Sequence, residues 1–217
     1  NIFVALAKKH VYGLVNVDMI AGPSEILVIA DGKSNPVYVA ADLLSQAEHD
    51  KLASAVLVTD SKTLALAVQA ELEKQLAAMP REAIARASIE NNGKIIICES
   101  VKKAVEISNE IAPEHLEVCV DNPFDYLPLI KNAGSIFLGR YTPEALGDYY
   151  AGPNHTLPTG GSAKFSSPLS VDDFVKKSSY IYYTEAELDK AADIVTGFAE
   201  SEGLYGHAHS VEVRVKK

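Results

Sequence analysis

The sequence predicts an α/β fold: an open, doubly wound parallel sheet followed by a small α/β tail unit. Three observations predict it. Between residues 25 and 138, apolar runs of strand length alternate with segments of helical period, the pattern of repeated βαβ units. The strand-like runs are apolar on both faces, as in Ile26-Leu27-Val28-Ile29-Ala30, which suits a sheet covered by helices on both sides. Beyond residue 138 the alternation stops, so the end of the chain belongs to something else.

The elements follow in order. Residues 2–11 read as a helix behind Asn1, a residue type that caps helices. Strands are expected at 25–30, 55–60, 94–98, 116–120 and 135–138. A helix opened by Pro36 runs through Tyr38, Asp42, Gln46 and His49, and others cover 64–76 and 101–111. The sheet is thus Rossmann-like but incomplete. From 140 to 169, roughly 30 residues pass with four prolines and no clear period, far beyond the usual connection length. Such a loop is functional or disordered, and Tyr149, Tyr150, Leu157 and Phe165 argue against disorder. After it come a capped helix start at 170–174, a strand at 180–183 and an amphipathic helix at 185–202. The expected divisions are 1–22, a lead-in; 23–169, the sheet domain; and 170–217, the tail.

A chain of 217 residues with 47% hydrophobic content can bury a proper core. Its formal charge of −9 argues against nucleic-acid binding through a basic surface. No apolar run approaches the roughly 18 residues that span a bilayer, and the first residues show no export pattern, so a cytoplasmic protein without membrane contact is expected. Cys98 and Cys119 fall in strand-like runs and read as small buried hydrophobes. The chain has no dinucleotide fingerprint after a strand, no phosphate-binding lysine loop and no His-Glu-x-x-His.

Several residues still suit chemistry. Gln46 and His49 are spaced i, i+3, a bidentate metal grip or, equally in pattern, a solvated helix face. Glu114 and His115 follow Pro113 at a helix-to-strand junction, an acid beside an imidazole able to exchange protons near neutral pH, or a solvated turn. Asp148 and His155 lie seven residues apart in the long loop. Ser24 precedes a strand and lacks the strand-turn-helix elbow of a nucleophile, so it reads as a ligand contact or backbone cap. The chain closes with Glu202, His207 and His209.

Six blocks tie these residues together. They are Asp18-Met19-Ile20-Ala21-Gly22-Pro23-Ser24-Glu25, Ala40-Ala41-Asp42-Leu43-Leu44-Ser45-Gln46-Ala47-Glu48-His49-Asp50, Ala112-Pro113-Glu114-His115-Leu116-Glu117, Gly147-Asp148-Tyr149-Tyr150-Ala151-Gly152-Pro153-Asn154-His155, Phe165-Ser166-Ser167-Pro168-Leu169-Ser170 and Glu202-Gly203-Leu204-Tyr205-Gly206-His207. In this order they closely resemble histidinol dehydrogenase, over essentially the whole chain. The resemblance implies oxidation of L-histidinol to L-histidine through an aldehyde in two NAD-dependent steps, with one zinc per site, in a homodimer. It implies zinc ligands at Gln46, His49, Asp148 and His207, the register of the last block favouring His207 over His209. It implies a catalytic pair in which His115 takes the alcohol proton and Glu114 activates water. Ser24, His155 and Glu202 fall at substrate contacts, together with the metal ligands and His115.

Members of that family are about twice this length, and the resemblance begins inside the family's Gly-Pro-Gly-Asn segment, with Asn1 as its last residue. It therefore implies that 1–22 is a remnant of an NAD-binding domain, that NAD is bound mainly outside these residues, that the tail packs on a partner subunit, and that the chain alone turns over poorly or not at all. The alternative is a non-catalytic zinc-binding or assembly module that keeps the site for structure. A metal-dependent hydrolase is disfavoured by the missing zinc-hydrolase motif.

Overall fold

The computed structural model describes residues 2–215, so Asn1, the expected first cap, lies outside the described residues. The chain divides into two compact units, 1–174 and 175–217. The first contains α1 (Ile2–Val11), β1 (Glu25–Ala30), α2 (Pro36–Ala47), β2 (Ser54–Thr59), α3 (Lys62–Leu76), α4 (Glu82–Asn92), β3 (Lys94–Ile97), α5 (Val101–Ile111), β4 (His115–Cys119), β5 (Ser135–Leu138) and α6 (Glu144–Tyr149). Its five strands are all parallel, in the order β3-β2-β1-β4-β5, the arrangement of a doubly wound sheet.

Side chains alternate across the sheet. Ile26, Val28 and Ala30 pack into one layer with Leu43, Leu44 and Val68, whereas Leu27 and Ile29 enter the opposite layer with Val105, Leu116 and Val118. Burial from both sides explains the unbroken apolar run of β1. At about 1.5–3 kcal/mol for each fully buried large aliphatic side chain, these central positions dominate the stability of the sheet. Local signals start the helices. The Asn35 side chain accepts the Val37 N–H ahead of Pro36, and Ser61 and Ser100 accept N–H groups in the first turns of α3 and α5.

The expected strands and the helices at 2–11, 64–76 and 101–111 are present within two residues at either end. Four features differ. The helix from Pro36 stops at Ala47, which leaves His49 in the turn beyond it. α4 was not foreseen: only Ala85 and Ser88 of its residues are buried, so its periodic apolar signal is faint. Within 140–169 the chain forms α6 and a short 3-10 turn, Ser162–Lys164. Gly147 reads as a helix breaker, yet a Cβ there would lie 2.6 Å from Phe137 Cε1; the glycine lets α6 lie against β5. The fourth difference is at the end of the chain. Residues 180–183 pair with no strand among the described residues, and 171–174 form only a 3-10 turn. Among its described residues the second unit holds two helices, α7 (Glu185–Ser201) and α8 (Tyr205–Glu212), packed on each other. Its β-rich tyrosines lack the neighbouring strand that β structure requires.

Gly134 has a tight position beside the start of β4. A Cβ there would come within 2.5 Å of the Glu114 carbonyl oxygen, which already accepts the Ser135 N–H. Backbone cannot swing aside as a side-chain tip can, so Gly134→Ala should cost about 1–3 kcal/mol in urea denaturation. Denaturation coincident with that of the parent would show that the β4–β5 junction is looser than this geometry.

Candidate functional site

α5 ends at Ala112, which takes φ 56 and ψ 61 and is the one non-glycine residue of positive φ among the described residues. This left-handed turn costs on the order of 1–2 kcal/mol for a residue with a Cβ. It directs the chain through Pro113 into β4, with Glu114 at the threshold and His115 at the first strand position. β1 runs alongside, Ile26 opposite His115, and so brings Glu25 to the same place.

The Glu25 N–H donates to Glu114 Oε2 at 2.9 Å, and the Glu114 N–H returns a bond to Glu25 Oε2 at 3.3 Å. His115 Nδ1 lies 2.9 Å from the Glu25 carbonyl oxygen. A carbonyl can only accept, so this contact assigns the proton to Nδ1 and leaves Nε2 with its lone pair. Nε2 lies 3.7 Å from Glu144 Oε1, and both atoms are buried without a hydrogen-bond partner among the described residues.

Glu144 opens α6, where its N–H donates to Glu117 Oε1 at 2.8 Å. The Gln46 and Asp148 side chains face its carboxyl closely enough to act on its ionisation. Ligand atoms of His115, Glu144 and Asp148 lie within 4.8 Å of one another. With the amide of Gln46, the carboxylates of Asp148 and Glu144 offer oxygen donors of a kind that zinc and similar ions accept, the unpartnered Glu144 Oε1 among them, beside a His115 Nε2 whose lone pair stays free.

Burial sets the electrostatics. It pushes Glu114 to about 8, opposed by the Glu25 N–H and aided by the negative charges of Glu25, Glu144 and Asp148. It raises Glu144 to about 7, with Asp148 adding to the shift. It lowers His115, against the stabilising contact to Glu25, and so favours the neutral imidazole. Behind the site, Glu117 shares a hydrogen bond with Asp42 of α2; burial raises Glu117 well above the carboxylate range and Asp42 to about 6. Cys119 joins this group, its buried thiol pushed up, while Cys98 is half-buried beyond β3.

The sequence-derived residues are distributed unevenly. Gln46, Glu114 and His115 are buried and Asp148 is half-buried at the cluster. His49 is exposed past the end of α2, near enough for its charge to oppose protonation of His115. Ser24 and His49 line one cavity of about 420 Å³ with Ala21, Gly22 and Pro23. His155 is exposed in the segment after α6. Glu202, His207 and His209 are exposed in the second unit, at the end of α7 and in α8. Sequence reasoning missed Glu25, Asp42, Glu117 and Glu144. Glu117 carried a signal, an acid inside an otherwise apolar strand; Glu144 carried none beyond following Pro143.

Doubly wound sheets bind ligands at the carboxyl ends of their strands, where the order reverses. Here that position lies between β1 and β4 and is filled by ion pairs of Arg140 with Asp31 and Asp121, and of Lys33 with Asp121. The acid and imidazole cluster sits at the amino ends instead.

A sequence profile described as histidinol dehydrogenase matches residues 1–215. The chain belongs to the histidinol dehydrogenase family. It is 61% identical over 216 residues to the histidinol dehydrogenase of Clostridium acetobutylicum, covering 100% of this chain and 50% of that protein. The Streptococcus mutans histidinol dehydrogenase is 60% identical over 217 residues, with 51% of that protein covered. The crystal structure of histidinol dehydrogenase from Elizabethkingia anophelis superposes with a TM-score of 0.92 at 40% identity, over 99% of this chain and 49% of that one. The chain thus spans about half the length of the histidinol dehydrogenases it matches.

Proposed function

We propose that these residues carry the substrate and acid/base chemistry of a zinc-dependent, NAD-linked oxidation of L-histidinol to L-histidine, within a cytoplasmic homodimer. The observation that carries the reading is the His115 ring, with Nδ1 committed to the Glu25 carbonyl and a bare Nε2 buried beside Glu144. A neutral imidazole fixed in that tautomer is ready to accept a proton. In the first oxidation the hydroxyl proton would pass to His115 Nε2 as the carbinol carbon gives up a hydride, for which bound NAD would be the acceptor. In the second, Glu114 would take a proton from the water that adds to the aldehyde while His115 returns its proton to the carbonyl oxygen, and the hydrate would then give up a hydride to a second NAD and a hydroxyl proton to His115, leaving the acid. Glu114, held at about 8, has the affinity for a proton that a base working near neutrality needs.

Gln46, His49 and Asp148 would hold zinc, with His207 of the tail as the fourth ligand, and Glu144 stands beside Gln46 and Asp148 as a carboxylate neighbour. Bound zinc would orient the imidazole and amine of the substrate and so fix the reacting carbon. Ser24, His155 and Glu202 would contact substrate, the Glu202 carboxylate facing the substrate's ammonium group. Residues 1–22 would belong to the NAD-binding side of the protein.

The complete natural protein, loaded with zinc, should form two NADH per L-histidinol consumed. His49→Ala should weaken zinc binding by at least about 10–100-fold, since even supporting partners of metal ligands are worth that much. An unchanged zinc titration would remove His49 from the ligand set, and no NADH from the loaded protein would sink the reading.

A further inference from the structure

We propose that Glu25 is a positioning residue for the acid/base pair, its carboxylate clamping Glu114 to the long loop after α6 while its main chain holds both Glu114 and His115. The inference rests on the roles proposed for Glu114 and His115. Every polar atom of Glu25 is engaged there. Its N–H donates to Glu114 Oε2, its carbonyl meets His115 Nδ1, its Oε2 accepts the Glu114 N–H, and its Oε1 accepts the Gly160 N–H at 2.9 Å. One residue therefore joins three separate segments: the start of β1, the entry to β4, and the Gly160 turn, where φ is +62.

Strand pairing does not require this. The β1–β4 ladder begins at Ile26 and His115, and Glu25 is registered with Ser54 of β2 on its other side. A small neutral residue would start β1 as well. Burial raises the affinity of Glu25 for a proton, a cost that the two accepted N–H groups offset. Its negative charge also favours the protonated form of Glu114, in company with Glu144 and Asp148. The effect expected from losing the clamp is geometric, because a displacement of about 1 Å at a reacting group can cost about 10²-fold in rate.

The test is a double-mutant cycle in the complete, zinc-loaded natural protein, with L-histidinol and NAD saturating. Glu25→Ala should lower kcat by about 10–100-fold with KM changed less than about threefold. Glu25→Gln, which keeps one acceptor oxygen for two N–H groups, should give a smaller loss in the same direction. In the Glu114→Gln background the Glu25 substitutions should cost at most a few-fold, because the group they position is already gone. Equal losses in both backgrounds, an unchanged kcat in Glu25→Gln, or an effect on KM alone would overturn the inference. If Glu25→Ala does not fold, the Gln variant and its cycle decide. A Glu114→Gln protein with undiminished kcat would instead refute the role of Glu114 itself, a result separable from the Glu25 outcomes.

Discussion

Under the proposed function, His115→Asn should lower the turnover of L-histidinol by about 10²–10⁴-fold, the usual contribution of a positioned general base. Asparagine places an amide nitrogen near the position of Nδ1 and can still donate to the Glu25 carbonyl, 2.9 Å from the present donor. It deletes Nε2, the buried atom that faces Glu144 without a partner. His115→Gln reaches the place of Nε2, but an amide is not a base at neutral pH, so its activity should be equally low. Both variants shorten or reshape a buried ring that lies 6.1 Å from that of Phe137, and a modest loss of stability accompanies them. Steady-state NADH formation by the folded variants decides the matter. Activity within tenfold of the parent would show that proton removal runs through another group.

The second large effect concerns the pair behind the site. Glu117 and Asp42 both have folded-state proton affinities above their ordinary values, because burial disfavours their charged forms. Groups raised in this way stabilise the fold fully below their unfolded pKa values, and the contribution is lost as pH rises through the folded ones. For Asp42 the window runs from near its ordinary 3.8 up through about 6; Glu117 extends it upward, in the same sense as Glu144 at about 7 and Glu114 at about 8. In the presence of a chelator, the urea midpoint should therefore fall steadily from pH 5 to pH 8.

Glu117→Gln copies the protonated acid: its oxygen can accept the Glu144 N–H and its amide can donate to Asp42. That variant should keep its fold and show a shallower fall, with a midpoint at pH 8 no lower than that of the parent. Glu117→Leu removes the acceptor and leaves the Glu144 N–H buried and unpaired, a loss of about 1–3 kcal/mol. It should also lower activity, since the start of α6 carries Glu144 and its next turn Asp148. A Glu117→Gln profile parallel to that of the parent would show that the pair does not hold its proton in the folded state.

The chemistry of the sequence and the geometry of the fold divide the explanation of this protein between them. Periodicity was enough for the sheet. β1 is apolar on both faces because Ile26 and Leu27 enter opposite layers, and that demand is written into consecutive residues. The resemblance of six blocks to one family was equally legible, and the family match over residues 1–215 bears it out. Local rules failed where packing overrode them. Gly147 signals a break when read alone, yet it lies within α6, and the Phe137 ring occupies the space that a Cβ would take. Residues 180–183 have strand composition, but pairing needs a neighbour that is not beside them among the described residues. His49 falls past the end of α2 because that helix stops at Ala47, a boundary the apolar period does not mark.

The sequence by itself determined the parallel sheet, the family, and the presence of an acid beside an imidazole at the start of β4, since each depends on residues adjacent or periodic along the chain. Only the tertiary structure decided which end of the sheet bears the cluster, which nitrogen of His115 is free, and that Glu25, Glu117 and Glu144 support it. Those facts depend on contacts such as Glu25 with Glu114, 89 residues apart. Proton affinity follows burial and neighbouring charge, and neither exists until the chain has folded.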